Sequence, residues 1–318
     1  MSGKDFGGEQ RVRKNLFATI VYFDGMDYAL TTFECWQRFL VYSGEGERID
    51  FLQSLRALKT LQKMGKIKNK NGFWMLNTRS NLGAVRLKKQ KISINKLKKV
   101  RKYAVFFQLI PYVRGVFITG TLGMKTAARK SDWDVLLVIK RRRLWLGRFL
   151  ATVFLHLIGK RRHGNKINNR FCLNHFLTED GMSLEEQNEY TAKELSFSLP
   201  LTGGEVWQKF IELNGIWQKK YFPNFEKDAL AAWILQEKGR ASSLVQAVAE
   251  FLGEYSGLAA RGNVFLKKVM IVKIKRNPNT YLKGADIRYS DRQLVFLPKP
   301  QRDKIRALAE KKLTKLFG

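Results

Sequence analysis

Two pairs of residues in the segment 116–139 have the types and the spacing that metal and phosphate chemistry requires. Gly120 and Thr121 interrupt one apolar, β-branched run, and Asp132 and Asp134 open a second. Because side chains alternate between the two faces of a strand, both carboxylates project from one face, one pleat apart. Paired carboxylate oxygens favour Mg²⁺. A Gly-Thr turn offers backbone N–H groups and a hydroxyl to a phosphate. The segment therefore predicts a magnesium and phosphate site between two buried strands.

This segment resembles the nucleotidyltransferase superfamily, the DNA polymerase β-like group. The family signature is a hydrophobic residue, Gly-Gly or Gly-Ser, a spacer of about a dozen residues, and then Asp-hydrophobic-Asp-hydrophobic. The matching positions in this chain are Gly120, Thr121, Asp132, Trp133, Asp134 and Val135. Thr121 departs from the pattern, because it keeps the hydroxyl of Ser but adds a methyl group. The alternative interpretation is an ordinary βα unit with a solvated pair of aspartates at a strand end.

The resemblance implies Mg²⁺-dependent transfer of a nucleoside monophosphate from an NTP to a hydroxyl acceptor, with release of pyrophosphate. In that scheme Asp132 and Asp134 are the catalytic residues and hold a two-metal site. Gly120 and Thr121 hold the β- and γ-phosphates. The candidate residues for neutralising phosphate charge are Arg129, Lys130, Arg143 and Arg148. The identity of the acceptor and the base of the NTP stay open.

The third strand departs from the family in a way that bears on activity. In the family this strand carries a third acidic residue that helps to bind metal and activate the acceptor hydroxyl. Residues 168–177 are the predicted strand here, and they offer Asn174 at that place, with His175 expected on the opposite face. The candidates for a substitute carboxylate are Glu179, Asp180 and Glu194. If Asn174 stands alone, we expect transfer to be slow or absent, because an amide does not accept a proton at neutral pH.

The charge balance of the chain implies an anionic partner. Its 59 Lys and Arg against 27 Asp and Glu give a formal net charge of +32. Nucleic acid, nucleotide and an anionic membrane surface all suit that charge, whereas a general compositional bias is the neutral alternative. Residues 86–102 concentrate nine basic residues without an acidic one. They form either a basic linker helix or a surface that follows the phosphates of RNA or DNA.

The N-terminal part has the element order of a winged helix. Thr31 and Glu34 form a capping box, two amphipathic helices are predicted, and Asn71-Gly72 indicates a β-hairpin with a type I′ turn. In that fold the helix before the hairpin enters a major groove. The basic residues expected on the outer face of this helix are Arg56, Lys59 and Lys63. Packing against a neighbouring domain or a protein is the alternative role.

The sequence thus predicts an α+β chain in four parts. These are a winged-helix-like module at 12–85, a basic linker helix at 86–115, an α/β nucleotidyltransferase domain with a mixed sheet at 116–224, and a mainly helical region at 225–318 with a short hairpin at 287–297. A second hypothesis is a nucleic-acid-binding regulator whose nucleotidyltransferase core is catalytically weakened. A third is a scaffold that binds nucleotide without reacting.

The cysteines and the apolar segment bear on the cellular compartment of the protein and on its relation to membranes. Cys35 and Cys172 lie far apart without a CxxC pattern, which predicts reduced core residues rather than a zinc site or a disulfide. The apolar segment 144–158 is too short to span a bilayer and is interrupted by Arg148 and His156. A buried helix is the preferred interpretation, and its basic flanks leave a membrane-surface role as the alternative. We expect a cytoplasmic protein without a transmembrane segment, and the oligomeric state is not predicted.

Overall fold

The fold is mixed α and β, built around two sheets. A computed structural model describes residues 3–42, 47–226, 230–298 and 302–317. A three-stranded sheet lies in the N-terminal part, and a six-stranded sheet forms the centre of the molecule. Within the described residues, no helix is both long enough and apolar enough to cross a bilayer.

The N-terminal part contains helices and a small antiparallel sheet. Its elements are α1 (Gly3–Asp24), β1 (Leu30–Thr31), α2 (Thr32–Gln37), α3 (Phe51–Lys63), β2 (Ile67–Lys70) and β3 (Phe73–Leu76). The strand order is β1-β3-β2. The predicted capping box of Thr31 and Glu34 begins α2. The predicted hairpin turn is also confirmed, with φ of 53° at Asn71 and 80° at Gly72.

The basic run 86–102 lies on α4 (Leu82–Arg101), which is followed by α5 (Ala104–Leu109). Arg86 is buried, and its guanidinium lies 2.5 Å from the carboxylate of Glu34 and 4.1 Å above the ring of Tyr28. Burial alone would raise the pKa of Glu34, but hydrogen bonds and attraction from Arg86 lower it to about 2. Lys96 is buried as well and donates to the carbonyl of Ser131 at 2.7 Å. Part of the basic run therefore fixes α4 between the two sheets, while most of its other basic residues are exposed or half-buried.

The central sheet is mixed, as the sequence predicts. Its strands are β4 (Val113–Ile118), β5 (Trp133–Ile139), β6 (Phe171–Thr178), β7 (Leu199–Thr202), β8 (Asp286–Tyr289) and β9 (Gln293–Leu297), in the order β7-β4-β5-β6-β9-β8. Strands β5 and β6 run parallel, and every other pairing is antiparallel. The apolar residues of β5 are at most 4% exposed, so this strand lies in the core.

In the part of the chain that the structure describes, eight α-helices accompany the central sheet, one before β5 in the sequence and seven after it. They are α6 (Gly120–Gly123), α7 (Leu144–Leu157), α8 (Glu189–Phe197), α9 (Gly204–Tyr221), α10 (Leu230–Ile234), α11 (Arg240–Tyr255), α12 (Leu258–Arg276) and α13 (Arg302–Phe317). A short 3-10 helix spans Pro278–Tyr281. Helix α12 packs on α7, α11 packs on α5, and α13 packs on α1.

The region 225–318 is not made of helices alone, because part of it joins the central sheet. The hairpin predicted at 287–297 is present, but its strand β9 pairs with β6, with Val295 opposite His175. The physical reason is that β6 would otherwise be an unpaired edge strand with open backbone groups. The C-terminal third of the chain therefore completes the central sheet.

Candidate functional site

The predicted glycine turn and the aspartate pair lie together at the edge of the sheet where β5 begins. Strand β4 ends at Ile118, and the backbone N–H of Thr119 donates to the carbonyl of Asp134 at 3.0 Å. The chain then turns into α6 at Gly120, whose φ is +60°. A Cβ atom at this position would lie 2.6 Å from Oδ2 of Asp134. Glycine is therefore required here both by the backbone conformation and by the nearby carboxylate.

The next strand presents an amide to this pair instead of a third carboxylate. Asp134 is opposite Cys172 in the parallel ladder, and Asn174 is an extra residue in β6, because His175 already pairs with Leu136. The side-chain amide of Asn174 donates to Oδ1 of Asp134 at 2.9 Å. The bulge also corrects the expectation for His175, since Asn174 and His175 both line the same cavity.

Cys172 belongs to this cluster, which the sequence analysis missed. Its sulfur and one oxygen each of Asp132 and Asp134 all lie within 4.8 Å of one another. Cys35 is buried as predicted, whereas Cys172 is only half-buried. Cys172 precedes Asn174 by two positions, and side chains two apart on a strand share a face. That spacing was the signal that would have placed Cys172 beside the aspartates.

Arg162 provides a cation at the site, and it also escaped the sequence analysis. It lies in the connection between α7 and β6, where its backbone N–H bonds to the carbonyl of Phe171 at 3.0 Å. Its guanidinium is 2.7 Å from Oδ2 of Asp132 and 3.2 Å from the sulfur of Cys172. No spacing in the sequence points to this contact, because it depends on how the connection folds back over the strand.

The pKa of Asp134 is raised, although the nearby guanidinium of Arg162 acts to lower it. Burial raises the pKa of Asp134 to about 7, and the charges of Asp132 and Glu194 add to the rise. A hydrogen bond from Cys172 and the positive charge of Arg162 act in the opposite direction. Asp134 is therefore partly protonated near neutral pH, and a cation bound beside it would favour its charged form.

Glu194 is the substitute carboxylate that comes close to the aspartates. It lies on α8 and accepts a hydrogen bond from the backbone N–H of Gly120 at 3.2 Å. The ammonium of the neighbouring Lys193 pairs with the same carboxylate and lies 4.1 Å from the ring centre of Tyr190. The backbone donor that the sequence assigns to a phosphate therefore already faces an anion.

The other two substitute carboxylates lie at the far end of the sheet. The backbone N–H of Glu179 donates to the carbonyl of Ile139, at the opposite end of β5 from Asp134. Five residues of strand separate these ends, or ~16 Å. Asp180 pairs there with Arg141 at 3.2 Å. Glu179 and Asp180 are therefore not brought to the aspartate pair.

Two of the predicted basic residues lie on the connection that leads into β5. Arg129 and Lys130 are exposed there, three and two positions before Asp132. Thr121, at the first turn of α6, is exposed too. All three are exposed and lie within three residues of Gly120 or Asp132 in the sequence.

The other two predicted basic residues are engaged elsewhere. The guanidinium of Arg143 bonds to the carboxylate of Glu254, with Nε at 3.0 Å. The guanidinium of Arg148 lies 4.2 Å from the ring centre of Phe296 and 5.7 Å from that of Phe176. The structure brings neither arginine to the aspartate pair.

A cavity of about 540 Å³ opens beside the cluster. One wall belongs to the predicted site and contains Thr119, Gly120, Thr121, Asp134 and Asn174. The opposite wall comes from the C-terminal third of the chain and contains Asp286, Arg288, Gln293, Arg302 and Lys304. Ligand sites usually measure ~300–1,000 Å³, so the cavity is large enough for a nucleotide.

The donor set fits a divalent cation in part. Two carboxylates at one strand end, one with a raised pKa, are suitable oxygen ligands for Mg²⁺. The sulfur of Cys172 and the amide of Asn174 are weaker partners for a hard cation. The guanidinium of Arg162 would have to leave Asp132 before an ion took its place.

Comparison of the chain with known protein families, with curated proteins and with solved structures finds no match in any of the three.

Proposed function

We propose that this protein binds an NTP with Mg²⁺ and transfers its nucleoside monophosphate to a hydroxyl acceptor, releasing pyrophosphate. The observation that carries the proposal is the meeting of Gly120 with Asp134 at the start of β5. Gly120 lies so close to this carboxylate that no larger residue fits, and both line the cavity. A turn that presents backbone donors next to paired carboxylates suits a triphosphate bound with its cation.

Each part of the cluster has a role in this proposal. Asp132 and Asp134 would hold Mg²⁺, which would lower the pKa of the acceptor hydroxyl and stabilise the leaving pyrophosphate. Gly120 and Thr121 receive the β- and γ-phosphates. Arg129 and Lys130 are exposed on the connection that leads into β5 and contribute positive charge.

The internal ion pairs of the site would exchange partners on binding. Arg162 now supplies positive charge to Asp132, and Glu194 supplies negative charge to the N–H of Gly120. A nucleotide with its cation brings charges of both signs. Its phosphates would replace Glu194 at Gly120 and attract Arg162, and Asp132, once released from Arg162, would be a ligand for the cation. The internal ion pairs partly neutralise the site, which favours binding of the phosphates and the cation together.

The rate of transfer is expected to be low. A positioned base contributes ~10²–10⁴-fold to such a step, and Asn174 cannot act as one. Glu194 is the carboxylate near enough to substitute, provided that it is released from Gly120 and Lys193.

The second candidate function is a nucleic-acid-binding regulator whose core binds nucleotide but reacts little. Asn174 bonded to Asp134 and Arg162 paired with Asp132 favour it. A winged-helix-like N-terminal module is part of this proposal. The order of its elements supports that fold, and the basic residues of its helix α3 are exposed: Arg56, Lys59 and Lys63.

Nucleotide binding with and without Mg²⁺ tests the first proposal. We expect Mg²⁺-dependent affinity for at least one NTP, and slow transfer of label from an α-labelled NTP to RNA or protein. Asp134→Asn should remove the Mg²⁺-dependent part of the binding. The matched control is Asp180→Asn, the same change at the other end of the sheet, which should leave binding intact. Equal Mg²⁺-dependent affinity in the wild type and Asp134→Asn would refute the proposal.

Titration with RNA and DNA tests the second candidate. Affinity should fall steeply with salt, because several phosphate contacts release counterions. Lys59→Gln together with Lys63→Gln should reduce both the affinity and its salt dependence. Absence of binding at about 50 mM salt would exclude this candidate.

A further inference from the structure

Helix α11 is amphipathic in the reverse sense to an ordinary surface helix. Its buried side chains are polar: Ser242, Gln246 and Glu250. Its large apolar side chains face solvent and are each between 49% and 83% exposed: Leu244, Val245, Val248, Phe251, Leu252 and Tyr255. A surface helix normally buries its apolar face. The outward face of α11 is thus built for an apolar environment.

Hydrogen bonds fix α11 in this orientation. The amide of Gln246 donates to the carbonyls of Ile110 and Val113, at 2.6 Å and 2.9 Å. The carboxylate of Glu250 accepts from the backbone N–H of Tyr112 at 2.7 Å and pairs with Arg114. Rotating the helix to bury its apolar face would leave these polar groups without their partners. The exposure of the apolar row therefore follows from the fold.

Helix α12 packs against α11, and it also exposes apolar side chains together with positive charge. Its exposed apolar side chains are each between 48% and 66% exposed: Leu258, Val264, Phe265, Val269 and Val272. The helix contains six basic residues and no acidic one. The basic residues that are exposed are Arg261, Lys268, Lys273, Lys275 and Arg276. At 100° per residue, Phe265, Val269 and Val272 form one stripe, which Lys268 and Lys273 flank on either side.

A third helix lies next to this surface. Helix α7, on which α12 packs, exposes Leu157 by 79% at its C-terminal end. We call the exposed apolar residues of α11 and α12, with the basic residues of α12, the basic-apolar face. An apolar area of this extent on a protein marks an interaction site.

We propose that the basic-apolar face lies on an anionic membrane surface, with α11 and α12 in the plane of the interface. The apolar rows enter the boundary between headgroups and acyl chains, and the basic residues of α12 contact lipid phosphates. The helices have 16 and 19 residues, or ~24 Å and ~28 Å. No described helix can cross a bilayer, which agrees with binding in the plane.

The charge pattern favours a membrane over a second copy of the chain. A symmetric dimer through this face would bring the basic residues of one α12 against those of the other, and like charges repel. The exposed residues of α11 from Ala241 to Tyr255 carry no charge that would offset this. Nucleic acid offers no apolar environment in which the exposed leucine and valine side chains of α11 and α12 could be buried. An anionic bilayer supplies both acyl chains and phosphates.

Co-sedimentation of the full chain with lipid vesicles tests the proposal. Vesicles of phosphatidylcholine alone are compared with vesicles that also contain phosphatidylglycerol. We expect at least about tenfold tighter binding to the anionic vesicles, reduced by salt. Failure to bind anionic vesicles would overturn the proposal.

Matched variants separate the apolar and the basic contributions. Phe251→Ser with Leu252→Ser should lower the affinity about tenfold or more without unfolding the protein, since both side chains are largely exposed. Leu52→Ser with Ile216→Ser is the control, because these exposed residues lie on α3 and α9. An equal loss in the control would count against the assignment of the face.

Lys268→Gln with Lys275→Gln should weaken binding to anionic vesicles and flatten its salt dependence. Lys59→Gln with Lys63→Gln makes the same change in charge on α3 and should have a smaller effect. Sedimentation velocity without lipid provides the remaining test. A dimer that dissociates on Phe251→Ser would identify a second copy as the occupant and overturn the proposal. The outcome does not depend on nucleotide binding, so this proposal and the proposed activity fail separately.

Discussion

The carboxylates near the two ends of strand β5 have pKa values that are shifted in opposite directions. At the starting end, burial and the charges of Asp132 and Glu194 raise the pKa of Asp134. At the other end, burial alone would raise the pKa of Glu250, but hydrogen bonds from Arg114 and Tyr112 lower it. Arg114 lies 2.6 Å from Glu250, and Lys140 lies 3.7 Å from it.

The difference separates an end of the strand with structural contacts from an end that is a candidate ligand site. Cations beside an acidic group stabilise its charged form, whereas a buried acidic group with a raised pKa is typical of sites that bind a ligand. The far end of the sheet therefore has the contacts of a structural site, and the starting end is the candidate for binding a ligand. Substitutions at the two ends should affect different measurements.

The largest expected effect is a gain of activity at the starting end. Asn174→Asp supplies the carboxylate that β6 lacks, so the transfer rate should rise by ~10²-fold or more. The same change adds a third negative charge next to Asp134, so the melting temperature should fall without Mg²⁺ and recover with it. Labelled-NTP transfer and a thermal melt with and without chelator measure the two effects.

The control for this substitution is Asn279→Asp, which makes the same change at an exposed residue of the short 3-10 helix and should alter neither measurement. An unchanged rate in Asn174→Asp would contradict the prediction. If the wild type is already fast and Glu194→Gln abolishes transfer, then Glu194 is the substitute carboxylate and the low-activity interpretation is wrong.

The next effect is a loss of stability at the far end. Arg114→Ala leaves the carboxylate of Glu250 with the backbone N–H of Tyr112 and with Lys140 at 3.7 Å, although the side chain of Glu250 is just 11% exposed. Removing one partner of such a buried pair costs ~3 kcal/mol in the free energy of unfolding. Denaturant unfolding measures it. Arg292→Ala, whose side chain is 70% exposed, is the control and should cost well under ~1 kcal/mol.

Arg114→Ala should leave the Mg²⁺ affinity of the folded protein unchanged. A variant that lost both stability and metal binding in proportion would show that the two ends of the sheet are not independent.

A smaller effect is expected from Arg162, which competes with Mg²⁺ for the carboxylate of Asp132. Arg162→Gln removes the guanidinium that now pairs with this carboxylate, so Mg²⁺ should bind roughly tenfold more tightly. Isothermal titration measures the change. Arg141→Gln removes the same charge from the pair with Asp180 at the far end and should have no such effect. Weaker Mg²⁺ binding in Arg162→Gln would mean that this arginine supports the site.

The smallest effect is a dependence of stability on pH. Because the pKa of Glu250 is lower folded than unfolded, its contribution is present above the ordinary glutamate pKa of about 4.3. That contribution is lost as the pH falls through the folded value. Glu250→Gln should therefore be less stable at pH 7, by ~1 kcal/mol, and lose less stability on acidification. Glu212→Gln, on an exposed residue, should follow the wild-type curve.

Local signals in the sequence predicted the parts of the fold that depend on few residues. The Asn71-Gly72 hairpin and the capping box of Thr31 and Glu34 follow from backbone preferences within a few positions. The juxtaposition of Gly120 with Asp134 was predictable for a similar reason, since two adjacent strands bring their ends together.

The features that the sequence did not predict depend on contacts between distant segments of the chain. Arg162 reaches Asp132 through the fold of its connection, and the bulge at Asn174 appears only in the pairing of β5 with β6. The reversed burial of α11 depends on acceptors in the segment around Val113, which no periodicity within the helix reveals. Sequence patterns place apolar faces inward by default, and α11 is an exception because its polar partners lie inside.

The pairing of β9 with β6 also has a consequence for the order of folding. A nascent chain leaves the ribosome with β4, β5 and β6 long before β9 has been synthesised, so β6 waits as an open edge. One wall of the cavity comes from the hairpin and from α13, which packs on α1. Such distant contacts form slowly. A ligand of this cavity should therefore bind after synthesis rather than during it, and the open edge of β6 exposes the emerging chain to aggregation until β9 docks.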